Sequence, residues 1–294
     1  MSNSSSPTDH PAYKLYRYTP NIVAAAIFLV LFAATTLYHI YQMIRKRSWY
    51  FTPLVIGGIF EIIGYVVRIM AHSNKQSIPI YSITTILILL APALFAASIY
   101  MILGRLVVAL DAEDMSPIRK KWMTKIFVIG DVIAFLSQAA GGGIMASGTA
   151  TALATGEHIT IAGLAIQLGF FSVFILTATI FHRRFQRTTN TAPMKISVKS
   201  MMKNKNWEAL LYVLYITSAL ILIRSVFRLI EYAGGNDGYL LSHEVFAYIF
   251  DATLMFFVMV ILNIFHPSDV MGDKAALHGS TAMSLRNWNS EPEV

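Results

Sequence analysis

Residues 80–105 read IYSITTILILLAPALFAASIYMILGR, a stretch in which the first formal charge is the closing Arg105. At 1.5 Å per residue such a run makes a helix about 39 Å long, enough to cross the roughly 30 Å hydrocarbon layer of a bilayer. Similar apolar runs fall at about 20–43, 51–71, 125–143, 159–181, 209–231 and 244–265. The whole chain is 55% hydrophobic and 13% charged, against about 25% charged in soluble proteins. No segment outside these runs is large enough to bury a soluble core. The fold expected is therefore an all-α integral membrane protein, a bundle of seven transmembrane helices spanning residues 16–268. Residues 1–15 and 269–294 are polar and without periodicity, and read as disordered tails.

Lysine and arginine orient the bundle. The loops after spans one, three and five and the C-terminal tail hold fifteen of them, and the opposite side holds only Lys14, Arg17 and Lys75. The N-terminus is expected outside and the C-terminus in the cytoplasm. Seven of the fifteen lie in the longest internal loop, residues 182–208, which reads as a basic cytoplasmic segment with Pro193 near its middle. The net charge of +7 follows from this asymmetry and favours anionic lipid rather than nucleic acid. Asn3-Ser4-Ser5 is a glycosylation sequon on the side expected outside. With no cysteine, disulfides and palmitoylation are excluded.

Polar side chains inside the spans carry the functional signal. Glu61 and Arg68, Asp131 and Gln138, Arg224 and Glu231, and Glu244 and Asp251 are each seven residues apart. Two helical turns put each pair on one helix face. With Arg228 there are eight charges, and facing lipid they would cost on the order of 20 kcal/mol together. They must face one another or a wet cavity. Span direction places all of them in one outer vestibule, five carboxylates and three arginines deep. Arg68, Arg224, Arg228 and Glu231 read as charge-setting groups or as ion pairs pinning helices. Glu61, Asp131, Gln138, Glu244 and Asp251 read as candidate substrate-binding or proton-carrying groups. Either reading, structural or functional, stays open for each.

Pro92 removes a backbone hydrogen bond in mid-span and predicts a kink. Gly141-Gly142-Gly143 either ends span four or admits a close neighbour. No two histidines share a span at ligand spacing, no nucleophile elbow occurs and no cofactor motif is present, so neither a metal nor a cofactor is expected. Rhodopsin-like receptor signatures are also missing: span three ends Leu103-Gly104-Arg105 and span seven ends Asn263-Ile264-Phe265-His266-Pro267.

The order of several short motifs carries a resemblance. Gly64-Tyr65-Val66-Val67-Arg68 is followed by Ala91-Pro92, by Ala97-Ser98-Ile99-Tyr100-Met101 with Gly104-Arg105, and by Asp131-Val132 through Gln138 to the three glycines. Then come Gly163-Leu164 with Gln167, Arg224-Ser225-Val226-Phe227-Arg228 with Glu231-Tyr232, His243-Glu244, Asp251, Asn263 and His266-Pro267. Over about residues 15–268 the chain resembles the fungal lipid-translocating exporters, the RTA-like seven-span proteins. That resemblance implies a plasma-membrane transporter that moves amphiphiles outward and confers resistance to them: sphingoid long-chain bases, sterol-like or porphyrin-like toxicants. It implies membrane lipids and an amphiphilic small molecule as partners, and leaves the oligomeric state open. A seven-span sensor signalling through the basic loop is the alternative, and a lipid-modifying enzyme the third.

Overall fold

The computed structural model describes residues 21–73, 77–110, 112–118, 120–145, 149–189, 206–234 and 238–268. Seven helices within it are long and apolar enough to cross a membrane. They are α1 (Ile22–Arg45), α2 (Thr52–Ala71), α3 (Ile78–Ala109), α4 (Lys120–Met145), α5 (Ala150–Thr189), α6 (Asn206–Ala233) and α7 (Glu244–Ile264). The chain is a multi-pass integral membrane protein. Asn3, Pro193, residues 1–15 and residues 269–294 lie outside the described residues.

Each helix packs on its sequence neighbour, α7 closes back onto α1, and α3 is drawn inward to meet α6 as well. Burial follows this order: 72% of the most apolar window of α3 is buried, against 28% in α1 and in α5. The outer helices turn Val30, Leu37, Val173 and Leu176 outward, as lipid-facing surface requires. Arg105 at the end of α3 stacks its guanidinium 4.2 Å from the Tyr50 ring in the α1–α2 connection. That contact puts the α1–α2 and α3–α4 connections together at what we term the basic end.

Helix ends differ from hydropathy limits in ways the side chains explain. The 182–208 segment begins as helix, because α5 continues to Thr189 and α6 starts at Asn206. Phe181 and Phe185 are buried on one face of that extension, and Phe185 meets Trp207 at 5.1 Å, so packing carries the helix beyond its apolar window. α4 likewise runs through Gly141-Gly142-Gly143 to Met145.

Between lipid-embedded helices close approach replaces the hydrophobic effect as the driving force, and small residues permit it. Ala93, Ala96, Ala97 and Ser98 of α3 are all buried. At Gly141 a Cβ would lie 2.3 Å from the Thr160 hydroxyl and 2.5 Å from the Gly156 carbonyl of α5, whereas at Gly142 it would meet nothing within 4 Å. Gly141→Ala is therefore expected to force α4 and α5 apart at about 1–3 kcal/mol. Gly142→Ala is expected to be neutral or to stabilise by up to about 1 kcal/mol, since glycine weakens a helix interior. In detergent the unfolding midpoint of Gly141→Ala should fall, and that of Gly142→Ala should stay or rise.

Candidate functional site

Arg224 is the largest fully buried side chain, 2% exposed on α6. Its Nε donates to Oδ1 of Asp251 on α7, and its Nη2 donates to the Ile88 carbonyl of α3 at 3.2 Å. That carbonyl is available because its ordinary helical donor, four residues on, is the imide nitrogen of Pro92. α3 stays helical across Pro92, and the guanidinium stands in for the missing amide. Asp251 sits in a π-helical turn, Tyr248–Thr253, where Thr253 Oγ1 donates back to the Tyr248 carbonyl at 2.8 Å. Such wide turns recur at functional sites. Glu244 lies before this turn and Asp251 within it, and the two carboxylates go to different arginines.

Glu244 pairs with Arg68 of α2 at 3.0 Å and accepts the Tyr248 hydroxyl at 3.1 Å on the same oxygen. Its other oxygen accepts the Asn21 backbone N–H at 2.9 Å, and the Asn21 side chain caps α1 by accepting from Val23 and Ala24. Arg68 also lies 5.3 Å from the Tyr248 ring. One carboxylate thus ties α7 to both α2 and the start of α1. Arg228 pairs with Glu231 one turn along α6 at 2.6 Å. Of the two ion pairs the sequence suggested for Glu231, the structure forms this one, and Arg224 goes to Asp251 instead.

Each of the three arginines has a carboxylate partner, which leaves two acids. Glu61 is 1% exposed on α2, and its Oε2 is buried without a hydrogen-bond partner. It feels the charges of Asp251 and Arg224, so it belongs to their group. Asp131 on α4 belongs to a second group between α3, α4 and α5. Its Oδ2 accepts the Tyr100 hydroxyl at 3.1 Å, and its Oδ1 is buried without a partner. Phe127, Phe171 and Phe174 pack against the Tyr100 ring at 4.5 to 6.1 Å. Two turns along α4, Gln138 donates to Gln167 of α5 at 3.0 Å.

The sequence candidates thus form three separate ion pairs, Arg68 with Glu244, Arg224 with Asp251 and Arg228 with Glu231, while Glu61 has no such partner, Asp131 goes to Tyr100 and Gln138 to Gln167. The tyrosines Tyr100, Tyr232 and Tyr248, which hold three of these charges, carry no charge pattern that would have flagged them. Among the described residues no group of three or more His, Asp or Glu side chains is arranged to hold a metal ion.

A family model described as RTA1 like protein matches residues 54–274. The chain is 36% identical to Protein RTM1 of Saccharomyces cerevisiae, over 89% of this chain and 93% of that protein. It is 33% identical to Protoporphyrin uptake protein 1 of the same organism, over 87% and 93%. Sphingoid long-chain base transporter RSB1, also from Saccharomyces cerevisiae, is 28% identical over 94% of this chain and 78% of that protein. No solved structure matches.

Asp251→Leu leaves the Arg224 guanidinium buried without its carboxylate and is expected to cost about 3–5 kcal/mol. Adding Arg224→Met should recover most of that loss, because apolar residues of similar volume often replace a buried ion pair at little cost. A double-mutant cycle on unfolding midpoints reads the coupling. Simple additivity would show that the pair does not seat Arg224.

Proposed function

Because the chain belongs to the RTA1-like family, we propose that it is a plasma-membrane carrier moving amphiphilic, lipid-like molecules outward. Two relatives are named for lipid-like cargo, a sphingoid long-chain base and a protoporphyrin. The observation that carries the reading is the pair of acids left over once each arginine has its partner, Glu61 and Asp131, each with a buried, unpartnered oxygen. A carboxylate in a low-dielectric interior calls for a proton or a cation. The ammonium of a sphingoid base supplies the cation through charge-assisted hydrogen bonds. Its alkyl tail needs only the lipid-facing surface between helices. Asp251, Glu244 and Glu231 serve by fixing the arginines, whose positive charge keeps the surroundings of Glu61 from becoming prohibitively negative. Gln138 with Gln167 adds a polar step on the Asp131 side.

The orientation of the bundle rests on the fifteen-to-three excess of lysine and arginine on one side. Since the chain has no cysteine, single replacements report topology directly. In intact cells Ser73→Cys is expected to react with an impermeant maleimide, and Lys46→Cys only after permeabilisation. The reverse pattern would invert the orientation of the bundle.

Movement of a fluorescent sphingoid base across proteoliposome membranes tests the function. Wild type should accelerate it, and Glu61→Gln and Asp131→Asn should each slow it at least tenfold with folding intact. A protein that binds the base without moving it is a sensor, and the carrier reading then fails.

A further inference from the structure

Toward the basic end, α1 and α7 meet along a polar seam that the paired arginines do not reach. The His39 ring sets Nε2 3.0 Å from the Met259 carbonyl, Gln42 Nε2 donates to the Asn263 carbonyl at 2.9 Å, and Asn263 Nδ2 reaches the Thr35 carbonyl at 3.4 Å. A carbonyl accepts only, so each contact fixes which end of the side chain holds the hydrogen. The opposite ends are His39 Nδ1, Gln42 Oε1 and Asn263 Oδ1, three acceptors. All three are buried and have no partner, and so is the Thr36 hydroxyl oxygen. Thr36, His39, Gln42 and Asn263 are each more than nine-tenths buried.

The seam leads to Glu61. A Cβ built on Gly58 of α2 would fall 2.3 Å from the Thr36 oxygen and 2.9 Å from the Met259 methyl, so glycine lets α2 come directly against Thr36 of the seam. Gly58 precedes Glu61 by one helical turn. Thr36 and Glu61 each lie nine residues from the basic ends of their helices, Arg45 and Thr52, or about 14 Å. Acceptors in a row with no protein donor are costly when dry, about 1–3 kcal/mol each. Water, which brings hydrogens and needs two to four polar partners, is the donor that would satisfy them.

We propose that Thr36, His39, Gln42 and Asn263 line a hydrated column between α1, α2 and α7 that carries protons between the basic end of the bundle and Glu61. One proton enters from the aqueous phase, hops along water held by these groups and ends on the Glu61 carboxylate, which becomes a neutral acid. The titratable groups within electrostatic reach of Glu61 are Arg224 from α6, Asp251 from α7 and Tyr65 from its own helix, and His266 is within reach of His39. Intramembrane acids served by such relays recur in proton-driven transporters. The column deepens the carrier reading, on which its use in coupling rests. Proton entry itself requires no cargo.

Infrared difference spectroscopy on oriented proteoliposomes tests the column without any amphiphile. The carboxylic C=O band absent in Glu61→Gln identifies Glu61, and pH is stepped on one side at a time. In wild type the band should follow pH on the basic side. Thr36→Val and Asn263→Leu, nearly isosteric, should slow its appearance at least tenfold at unchanged unfolding midpoint, and Thr36→Ser should restore the wild-type rate. Unchanged rates in both dry variants would overturn the proposal, as would access only from the opposite side. A band that answers sodium at constant pH would also overturn it, by making the seam a cation site. If the column holds while amphiphile movement is absent, only the carrier reading falls.

Discussion

A guanidinium in hydrocarbon cannot give up its charge, so the protein must be arranged around it. Arg224 occupies that position. It gathers a carboxylate from α7 and a carbonyl from α3, and so ties the consecutive helices α6 and α7 to α3, 136 residues earlier in the chain. The carbonyl exists as a partner only because Pro92 withholds an amide. The carboxylate is presented by a π-helical turn. A proline and a wide turn would each weaken a helix in isolation. Together with the arginine they form one joint in the middle of the bundle, and the buried acid Glu61 lies within its field.

Away from that joint the bundle is held by contacts that do not need charge. Gly141 lets α4 and α5 meet backbone to backbone, and Gly58 lets α2 meet Thr36 of α1 and Met259 of α7. Phe51 packs its ring against both His39 and His266, closing the basic end between α1 and α7. Lipid offers apolar side chains no reason to leave it, so these close approaches and buried hydrogen bonds take over the role that burial plays in a soluble core.

Charge in this protein therefore does two jobs. The arginine pairs fix helices at the end where α1 begins and in the middle, while Glu61 and Asp131 keep oxygens without partners. The acids sit in separate places: Glu61 between α2, α6 and α7, Asp131 beside Tyr100 and its phenylalanine surround. A carrier that must first hold and then release a cationic headgroup benefits from acids that no arginine permanently neutralises.

Much of this was legible in the sequence. Seven apolar runs gave seven helices, because in lipid every backbone group must bond within its own segment and only a helix of that length does so. The charge asymmetry of the loops, the eight intramembrane charges and the proline opposite an orphan carbonyl could all be read in one dimension. The α5 extension to Thr189 could not, since Phe181 and Phe185 act through a contact with Trp207 rather than through hydropathy. Nor could the partners. A seven-residue spacing says that two side chains share a face, but not which neighbouring helix that face meets. Of the spaced pairs, neither Arg224 with Glu231 nor Glu61 with Arg68 forms an ion pair within its own helix among the described contacts; Arg224 crosses to Asp251 and Arg68 to Glu244. Sequence alone determined that these charges had to be turned away from lipid, because facing it costs too much. Tertiary structure decided which acids pair and which two remain, because that depends on helix rotation and depth, and packing against neighbours sets both.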